Sequence, residues 1–469
     1  MFDSAFRLRF LVAMRLRALL PLAMAGALRA IGAEGPPPPD PDIASLVAEI
    51  SPARIQRSIV VLTSFKTRHT LSDPLPSGDG IGGAGAWVRA EFQRVAVATG
   101  GRLRVTTDEF DQPPKAPSLP RPVHIINVVA TLPGSRADSA GRIYVLSAHY
   151  DCRARNVLDA ESPAPGADDD ASGVAAVLET ARVMSHYEFG ATLVFMAVAG
   201  AEQGFVGSAH WAEAARRNHL AIAGMLNDDI IGGTHGADGR VDRHSVRLFA
   251  QGLPPLEQPD DALLDLIRSG GENDTPPREL ARAIREIAAQ YEPAMSIRIV
   301  YRADRYTRGG DHLSFLERGY PAVRFVEPAE NFRHQRENVR VENGVEYGDT
   351  TDYIDFIYVA DVARINAAAL AVLARAPAPP AAVQIETARL ENDTTLRWAA
   401  SAEPDLAGYR IVWRETTAPY WQHAMDVGRD VTRATVPGVS KDDVVFGVEA
   451  FDAAGHASPA VFPTPRRTL

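Results

Sequence analysis

The sequence predicts an α/β fold with three layers, in which helices cover both faces of a mostly parallel, mixed sheet, followed by a small all-β sandwich. Two observations carry this prediction. Between residues 142 and 227, apolar runs rich in β-branched residues alternate with helical patterns, which is typical of parallel strands joined by helices. Beyond residue 383 the runs become short and alternating, with turn residues between them, which favours two packed sheets.

Individual elements follow from the spacing of the apolar residues. Strands are predicted where such residues alternate or form a short unbroken run, and helices where they recur every three or four positions. The predicted strands are 102–106, 124–132, 142–148, 192–198, 222–227, 295–301 and 321–326. The predicted helices are 41–94, interrupted by a Gly/Ser/Pro loop over 72–85, then 173–185, 207–217, 278–290 and 351–375.

The N-terminus has the pattern of a secretory signal peptide, predicted over residues 1–34. Several arginines precede an apolar run over 18–28, with small residues after it. Met14 is an alternative start. The run is shorter than the ~20 residues that a transmembrane helix needs. We therefore expect a secreted or periplasmic protein without membrane contact apart from this peptide, and an uncleaved anchor is the alternative.

Composition and charge exclude several classes of function. With 49 basic and 59 acidic residues the formal net charge is −10, and no Lys/Arg cluster lies beyond the N-terminal segment. Nucleic acid is therefore not expected as a partner. The single cysteine, Cys152, excludes an intramolecular disulfide and a structural zinc knot. A Gly78-x-Gly80-x-x-Gly83 pattern follows no predicted strand, so we interpret it as a surface loop.

Polar residues follow three consecutive predicted strands at the point where each ends. His149 and Asp151 follow the strand 142–148, Glu202 follows 192–198, and Asp229 follows 222–227. Because the carboxyl ends of parallel strands meet at one edge of a sheet, these side chains are expected to converge. Asp151 is near enough to accept the second N–H of the imidazole.

A loop of three adjacent aspartates, 168–170, precedes the next helix. Three neighbouring carboxylates repel one another, and a divalent cation relieves this repulsion. The alternative is a solvated loop that caps the helix. Further histidines come from Asp311-His312 and from His334. Zn²⁺ takes mixed histidine and carboxylate ligands, and five such ligands hold two ions if one aspartate bridges them.

With these motifs in this order, residues 45–376 resemble the co-catalytic di-zinc aminopeptidase family, which also contains glutaminyl cyclases and glutamate carboxypeptidase. The resemblance implies a zinc exopeptidase-like domain over 35–376 that holds two zinc ions. It implies that Asp151 orients His149, and that Asp311 and His312 lie beside the substrate. The implied ligands are His149, Asp169 and Asp229 for one zinc, and Asp169, Glu202 and His334 for the other.

One position departs from the family pattern. The residue before the ligand Glu202 is usually a glutamate that acts as general base, and here it is Ala201. Loss of a positioned base typically costs ~10²- to 10⁴-fold in rate. The resemblance therefore implies an exported, zinc-dependent peptidase of aminopeptidase type, acting on peptides or proteins with weakened activity. The alternative is an inactive pseudopeptidase that binds peptides or protein partners.

Two other chemistries are less well supported. Acyl transfer of the glutaminyl cyclase type also needs the glutamate that is missing at position 201. Serine hydrolysis is not supported, because no Gly-x-Ser-x-Gly motif occurs.

The C-terminal part, residues 383–469, follows a Pro-rich linker over 377–382. It resembles a fibronectin type III module in Trp398, in the turn 404–409 and in the Phe451-Asp452-x-x-Gly455 pattern. Such modules hold or position other parts of a protein. We therefore expect a separately folded domain without catalytic residues.

Overall fold

An eight-stranded mixed sheet forms the centre of the first part of the chain. The structure is a computed structural model that describes residues 38–254, 260–389 and 391–466, and the predicted signal peptide lies outside these ranges. The strands are β1 (Arg104–Gln112), β2 (Val123–Leu132), β3 (Arg142–His149), β4 (Thr192–Val198), β5 (Ala221–Asp228), β6 (Ser245–Ala250), β7 (Ser296–Val300) and β8 (Ala322–Val326). They lie in the order β1-β2-β4-β3-β5-β8-β6-β7.

The middle of this sheet is parallel. Strand β3 lies between β4 and β5, and β8 follows β5, all in the same direction. Antiparallel pairs join β1 to β2, β2 to β4 and β6 to β8. The predicted mixed sheet is thus confirmed. Strand β6 was not predicted, because Arg247 interrupts its short apolar run; its Nη2 donates to the carbonyl of Glu327 at 2.6 Å.

Helices cover both faces of the sheet and complete the three predicted layers. Helices α1, α2, α4, α7 and α9 pack together on one face, and α5 and α8 lie on the other. Within the described ranges, α9 is the one helix long and apolar enough to cross a membrane, and it is largely buried, as a core helix is. The helices are α1 (Pro41–Ala48), α2 (Pro52–Ser64), α3 (Ile81–Ala98), α4 (Gly173–Met184), α5 (Val206–Arg217), α6 (Asp261–Arg268), α7 (Pro276–Tyr291), α8 (His312–Leu316) and α9 (Phe356–Arg375).

Two small sheets follow a short hairpin of β9 (Arg340–Glu342) and β10 (Val345–Tyr347) and the helix α9. One sheet has the order β15-β12-β11-β17 and the other β14-β13-β16, and side chains of both form a common core around Trp398 and Tyr409. The fibronectin type III resemblance stays a prediction. The strands are β11 (Gln384–Glu386), β12 (Thr394–Arg397), β13 (Leu406–Glu415), β14 (His423–Gly428), β15 (Arg433–Val436), β16 (Val444–Asp452) and β17 (Thr464–Arg466).

Buried ion pairs connect the C-terminal sheets to α7 and the turn before it. Arg414 donates from Nη2 to both carboxylate oxygens of Asp274, at 2.7 and 2.9 Å. Arg282 reaches the same carboxylate at 3.1 Å, and Trp421 Nε1 donates to Glu279 at 3.2 Å. These contacts show that ion pairs and a hydrogen bond link the C-terminal sheets to the part of the chain before residue 377. The domain boundary at 377–382 stays a prediction.

Candidate metal centre

The carboxyl ends of the three central parallel strands bring the predicted residues to one edge of the sheet. His149 is the last residue of β3, and Asp229 directly follows β5. Glu202 lies in the loop after β4, and β3 runs between β4 and β5. The apolar runs form strands that are buried on both faces of the sheet. Because these strands are parallel and neighbouring, the polar residues that follow them lie at the same edge of the sheet.

The three aspartates before α4 are all buried but have different partners. Asp168 accepts the backbone N–H of Gly232 at 2.8 Å, and Asp170 accepts that of His149 at 3.1 Å. Neither oxygen of the Asp169 carboxylate accepts a hydrogen bond from any described residue. The outer two aspartates therefore hold the backbone, and the middle one is left to bind a ligand.

The ionisation of these aspartates differs in the same way. Burial raises the pKa of Asp168 to about 7. Burial also raises the pKa of Asp170 well above its ordinary value. For Asp169 burial acts in the same direction, but the charges of Arg336 and His149 outweigh it and hold its pKa well below the ordinary value. Asp169 is thus a stable carboxylate at the centre of the group.

His149, Asp169 and Asp229 form a compact, buried triad. His149 Nε2 lies 3.2 Å from Asp169 Oδ1 and 3.8 Å from Asp229 Oδ1, and the three ligand atoms all lie within 4.8 Å of one another. A tetrahedral zinc with bonds of about 2.0–2.2 Å holds its ligand atoms at about this spacing. One imidazole nitrogen and two carboxylates are also a donor set that zinc accepts. The residues therefore fit a divalent cation.

The tautomer of His149 is set by the main chain. Its Nδ1 lies 3.0 Å from the backbone carbonyl oxygen of Asp151 and 3.5 Å from the carboxylate of the same residue. The Asp151 carboxylate instead accepts the N–H groups of Ala201 and Glu202, at 3.2 and 3.1 Å. Asp151 does orient His149, but chiefly through its carbonyl, and its side chain ties the end of β3 to the loop after β4.

The charge state of His149 follows from its neighbours. Burial alone lowers the pKa of this imidazole. The carboxylates of Asp151, Asp169 and Asp229 outweigh burial and raise the pKa well above the ordinary value. A metal ion at Nε2 therefore has to displace a proton.

The predicted second ligand set of Asp169, Glu202 and His334 stays a prediction, and it does not form a group as compact as the triad. Among the described residues, the triad is the only group of three histidine, cysteine or acidic side chains whose ligand atoms lie within 4.8 Å of one another. His334 Nδ1 lies 3.0 Å from the carbonyl oxygen of Gly348, and its ring stacks on Tyr353 at 3.3 Å. The other two residues predicted to bind this second zinc are Asp169 and Glu202. The Nε atom of Arg336 lies between them, 2.8 Å from Asp169 Oδ2 and 2.9 Å from Glu202 Oε1.

Asp311 and His312 lie in the interior of the fold. Both are fully buried. Asp311 accepts the hydroxyl of Ser208 at 2.6 Å, and His312 Nε2 lies 2.8 Å from the carbonyl oxygen of Ala303. The substrate-side role of this pair stays a prediction, and in the structure the two residues lie at the start of α8, which packs against the sheet.

Ala201 is buried at the start of the loop after β4. Its N–H is held by Asp151, and its methyl side chain is 5% exposed. A methyl group cannot accept a proton. Position 201 therefore contributes no general base to the centre.

Sequence reasoning missed three residues that contact the centre. The Asp349 carboxylate accepts the N–H groups of Asp168 and Asp169 at 2.7 and 2.9 Å. Arg324 Nη2 lies 2.7 Å from Asp229 Oδ1 in an ion pair that lacks the alignment of a hydrogen bond. The third is Arg336. Arg324 alone gives a sequence signal, as a charged residue inside an apolar strand.

An α/β fold with a buried His-Asp-Asp triad at the carboxyl edge of its sheet defines a protein with a candidate catalytic metal centre. Residues 127–373 match peptidase family M28. The chain is also 43% identical over 431 residues to a probable zinc metalloprotease of Pyrenophora teres f. teres, covering 92% of this chain and 88% of that protein. It is 45% identical over 429 residues to one of Leptosphaeria maculans, covering 92% and 98%.

The chain therefore belongs to peptidase family M28, and the predicted family relationship is confirmed. Among solved structures, the LapA aminopeptidase of Legionella pneumophila superimposes with a TM-score of 0.50 at 18% sequence identity, covering 74% of this chain and 78% of that one. At this identity the likeness concerns the fold.

Proposed function

We propose that this protein is an exported, zinc-dependent metallopeptidase of aminopeptidase type that hydrolyses peptide bonds. The observation that carries the proposal is the compact, buried triad of His149, Asp169 and Asp229, whose potential ligand atoms lie within 4.8 Å of one another. Membership of a peptidase family and the zinc metalloprotease names of the relatives support it. The signal-peptide pattern over 1–34 supports export.

The residues of the triad would hold the zinc through one imidazole nitrogen and two carboxylates. Bound zinc supplies a Lewis acid that polarises the scissile carbonyl and acidifies a water molecule. The Asp151 carbonyl keeps Nε2 of His149 directed at the metal position. Asp349 accepts the backbone N–H groups of Asp168 and Asp169, and Asp170 accepts that of His149. Such outer contacts keep the ligands in place between turnovers.

The step that this site supports least is removal of the proton from the attacking water. A general base contributes typically ~10²- to 10⁴-fold, and position 201 has only a methyl group. We therefore expect hydrolysis that is slow by this factor relative to a site with a glutamate there. The same observation favours the second candidate function, a pseudopeptidase that binds peptides without cleaving them.

The test combines a metal count with a substrate panel. Purified protein is reconstituted with zinc, and zinc per chain is measured together with hydrolysis of aminoacyl chromogenic substrates and their N-blocked counterparts. Aminopeptidase activity requires zinc-dependent release from the free but not the blocked substrates. The matched variants are Asp169→Asn, expected to lose zinc and activity, and the surface change Asp238→Asn, expected to keep both.

The outcomes separate the candidates. Bound zinc with no hydrolysis, but saturable peptide binding, supports the pseudopeptidase. No zinc after reconstitution, or full zinc in Asp169→Asn, contradicts the zinc-dependent peptidase, and absence of both hydrolysis and peptide binding contradicts both candidates.

A further inference from the structure

The inference concerns Arg336, whose guanidinium lies between two of the predicted ligands of a second metal. Its Nε is 2.8 Å from Asp169 Oδ2 and 2.9 Å from Glu202 Oε1. An ion shared by these two carboxylates would have to contact the same oxygens. A guanidinium and a divalent cation cannot both occupy that position.

The charges around Glu202 are already compensated. Arg153 Nε donates to its other oxygen, Oε2, at 2.8 Å, so that each carboxylate oxygen faces a different guanidinium. The side chain of Glu202 is 5% exposed. Like charges repel more strongly where water is excluded, and a second metal ion at Glu202 would lie between Arg153 and Arg336.

The remaining predicted ligand of that ion is His334, whose ring stacks on Tyr353. Its Nδ1 lies 3.0 Å from the carbonyl oxygen of Gly348, an arrangement like that of His149, so this contact does not itself prevent Nε2 from binding a metal. In the described part of the chain His334 joins no group of potential ligands with Asp169 and Glu202. Two residues further on, the backbone of Arg336 has a φ of +57°. A residue with a side chain adopts this left-handed conformation only where its surroundings enforce it, and here it accompanies an inward-directed guanidinium.

We propose that Arg336 takes the place of the second metal, so that the protein binds one zinc ion per chain at His149, Asp169 and Asp229. This inference rests on the proposed function, from which it takes the first zinc site. In it, Asp169 binds the zinc with Oδ1, on the side of His149, and pairs with a fixed guanidinium through Oδ2. Glu202 is then a partner of two arginines and not a ligand.

The experiment is a metal count on the full chain. After zinc reconstitution and removal of free metal, we expect one zinc per parent chain and the same value in Glu202→Gln. In Arg336→His, which removes the guanidinium and supplies an imidazole, we expect a second zinc. A cobalt titration followed by visible absorption should reach its end point at one equivalent in the parent and two in this variant. Arg340→His, a change four residues along that touches neither carboxylate, should stay at one.

The zinc content of the parent protein tests the inference even if a variant fails to fold. Two zinc ions per parent chain would overturn the inference while leaving the proposed function intact, and so would loss of zinc in Glu202→Gln. No zinc in the parent would overturn the proposed function, and this inference with it. One zinc in the parent, unchanged in a folded Arg336→His, would show that the arginine is not what excludes the second ion.

Discussion

At the scale of single residues, position 201 combines a fixed backbone with an inert side chain. The Asp151 carboxylate holds the N–H groups of Ala201 and Glu202, and the carbonyl of Asp151 holds His149. The location of residue 201 relative to the triad is therefore set without any contribution from its own side chain. A larger side chain there would start from a defined backbone.

The first prediction is that Ala201→Glu increases activity. A carboxylate at this position would supply the missing proton acceptor, and we expect kcat to rise ~10²- to 10⁴-fold, equivalent to roughly 3–5 kcal/mol of barrier. KM should change much less, because a base acts in the transition state. Steady-state kinetics on zinc-loaded protein measure both.

The matched control is Ala201→Gln, which has nearly the same size but cannot take up a proton at neutral pH. It should leave kcat near the parent value. A folded, zinc-loaded Ala201→Glu protein with no gain over Ala201→Gln would favour the pseudopeptidase.

The second prediction concerns His69, a buried imidazole outside the metal centre. Its Nδ1 accepts the N–H of Leu71 at 3.0 Å, so Nε2 carries the proton that is donated to the carbonyl of Val157 at 2.9 Å. Burial lowers the pKa of His69 below 6.5. The unfolded chain therefore binds more protons below pH 6.5, and the free energy of unfolding should fall as the pH drops through that value.

Urea unfolding of the parent and of His69→Gln at pH 7 and pH 5 tests this. The parent should lose more stability between the two pH values than the variant, whose amide does not titrate. An equal loss in both proteins would assign the pH dependence to other groups.

At the scale of elements, the turn Ala167–Ser172 before α4 is held from outside by the loop after β10. Asp349 accepts two successive N–H groups of this turn, those of Asp168 and Asp169. Burial raises the pKa of Asp349 well above its ordinary value. Two chain segments far apart in sequence thus determine together where the Asp169 carboxylate lies.

The third prediction is that Asp349→Asn weakens zinc binding. The amide offers one acceptor for two N–H donors, and its own NH₂ group faces one of them. Loss of such an outer contact typically lowers metal affinity 10- to 100-fold. Chelator competition measures the affinity, and the exposed Asp352→Asn change in the same segment is the control. Equal affinities in both variants would contradict a positioning role for Asp349.

The strand ends could be predicted from the sequence, whereas the partners of each polar residue could not. Continuous apolar runs fixed where β3, β4 and β5 stop, and therefore where His149 and Asp229 lie. The choice of Asp169 among three aspartates depends on backbone N–H groups donated by distant loops. Arg336 lies in a loop whose sequence has no periodic pattern. Its contact with Asp169 is therefore visible only in the folded structure.

At the scale of the whole molecule, the C-terminal sheets supply charged partners to α7. Asp274 is fully buried and pairs with Arg414 of β13 and with Arg282. Loss of Arg414 would leave Asp274 with Arg282 alone, and loss of hydrogen bonds between charged groups typically costs ~1.5–3 kcal/mol. The sheets therefore contribute to the stability of the first part, although the metal triad lies wholly within it.

The fourth prediction is that a chain ending at Ala376 keeps its zinc but unfolds at a lower temperature. The triad residues all precede this end, and Asp274 loses its partner Arg414. In the full chain, Arg414→Ala should lower the free energy of unfolding by ~1.5–3 kcal/mol, because its charged hydrogen bonds to Asp274 are lost, whereas Glu415→Ala, an exposed position on the same strand, should change it by ~0.5 kcal/mol or less. Zinc analysis and thermal unfolding decide, and loss of zinc on truncation would contradict the prediction.

The triad takes its ligands from the end of β3, the turn before α4 and the end of β5, and this has a kinetic consequence. The metal position does not exist until β3 and β5 have paired and α4 has docked on them. Zinc therefore cannot template the early steps of folding, because it recognises only a late, nearly complete state. We expect zinc to leave the refolding rate unchanged and to slow unfolding, because it binds and stabilises only the native state.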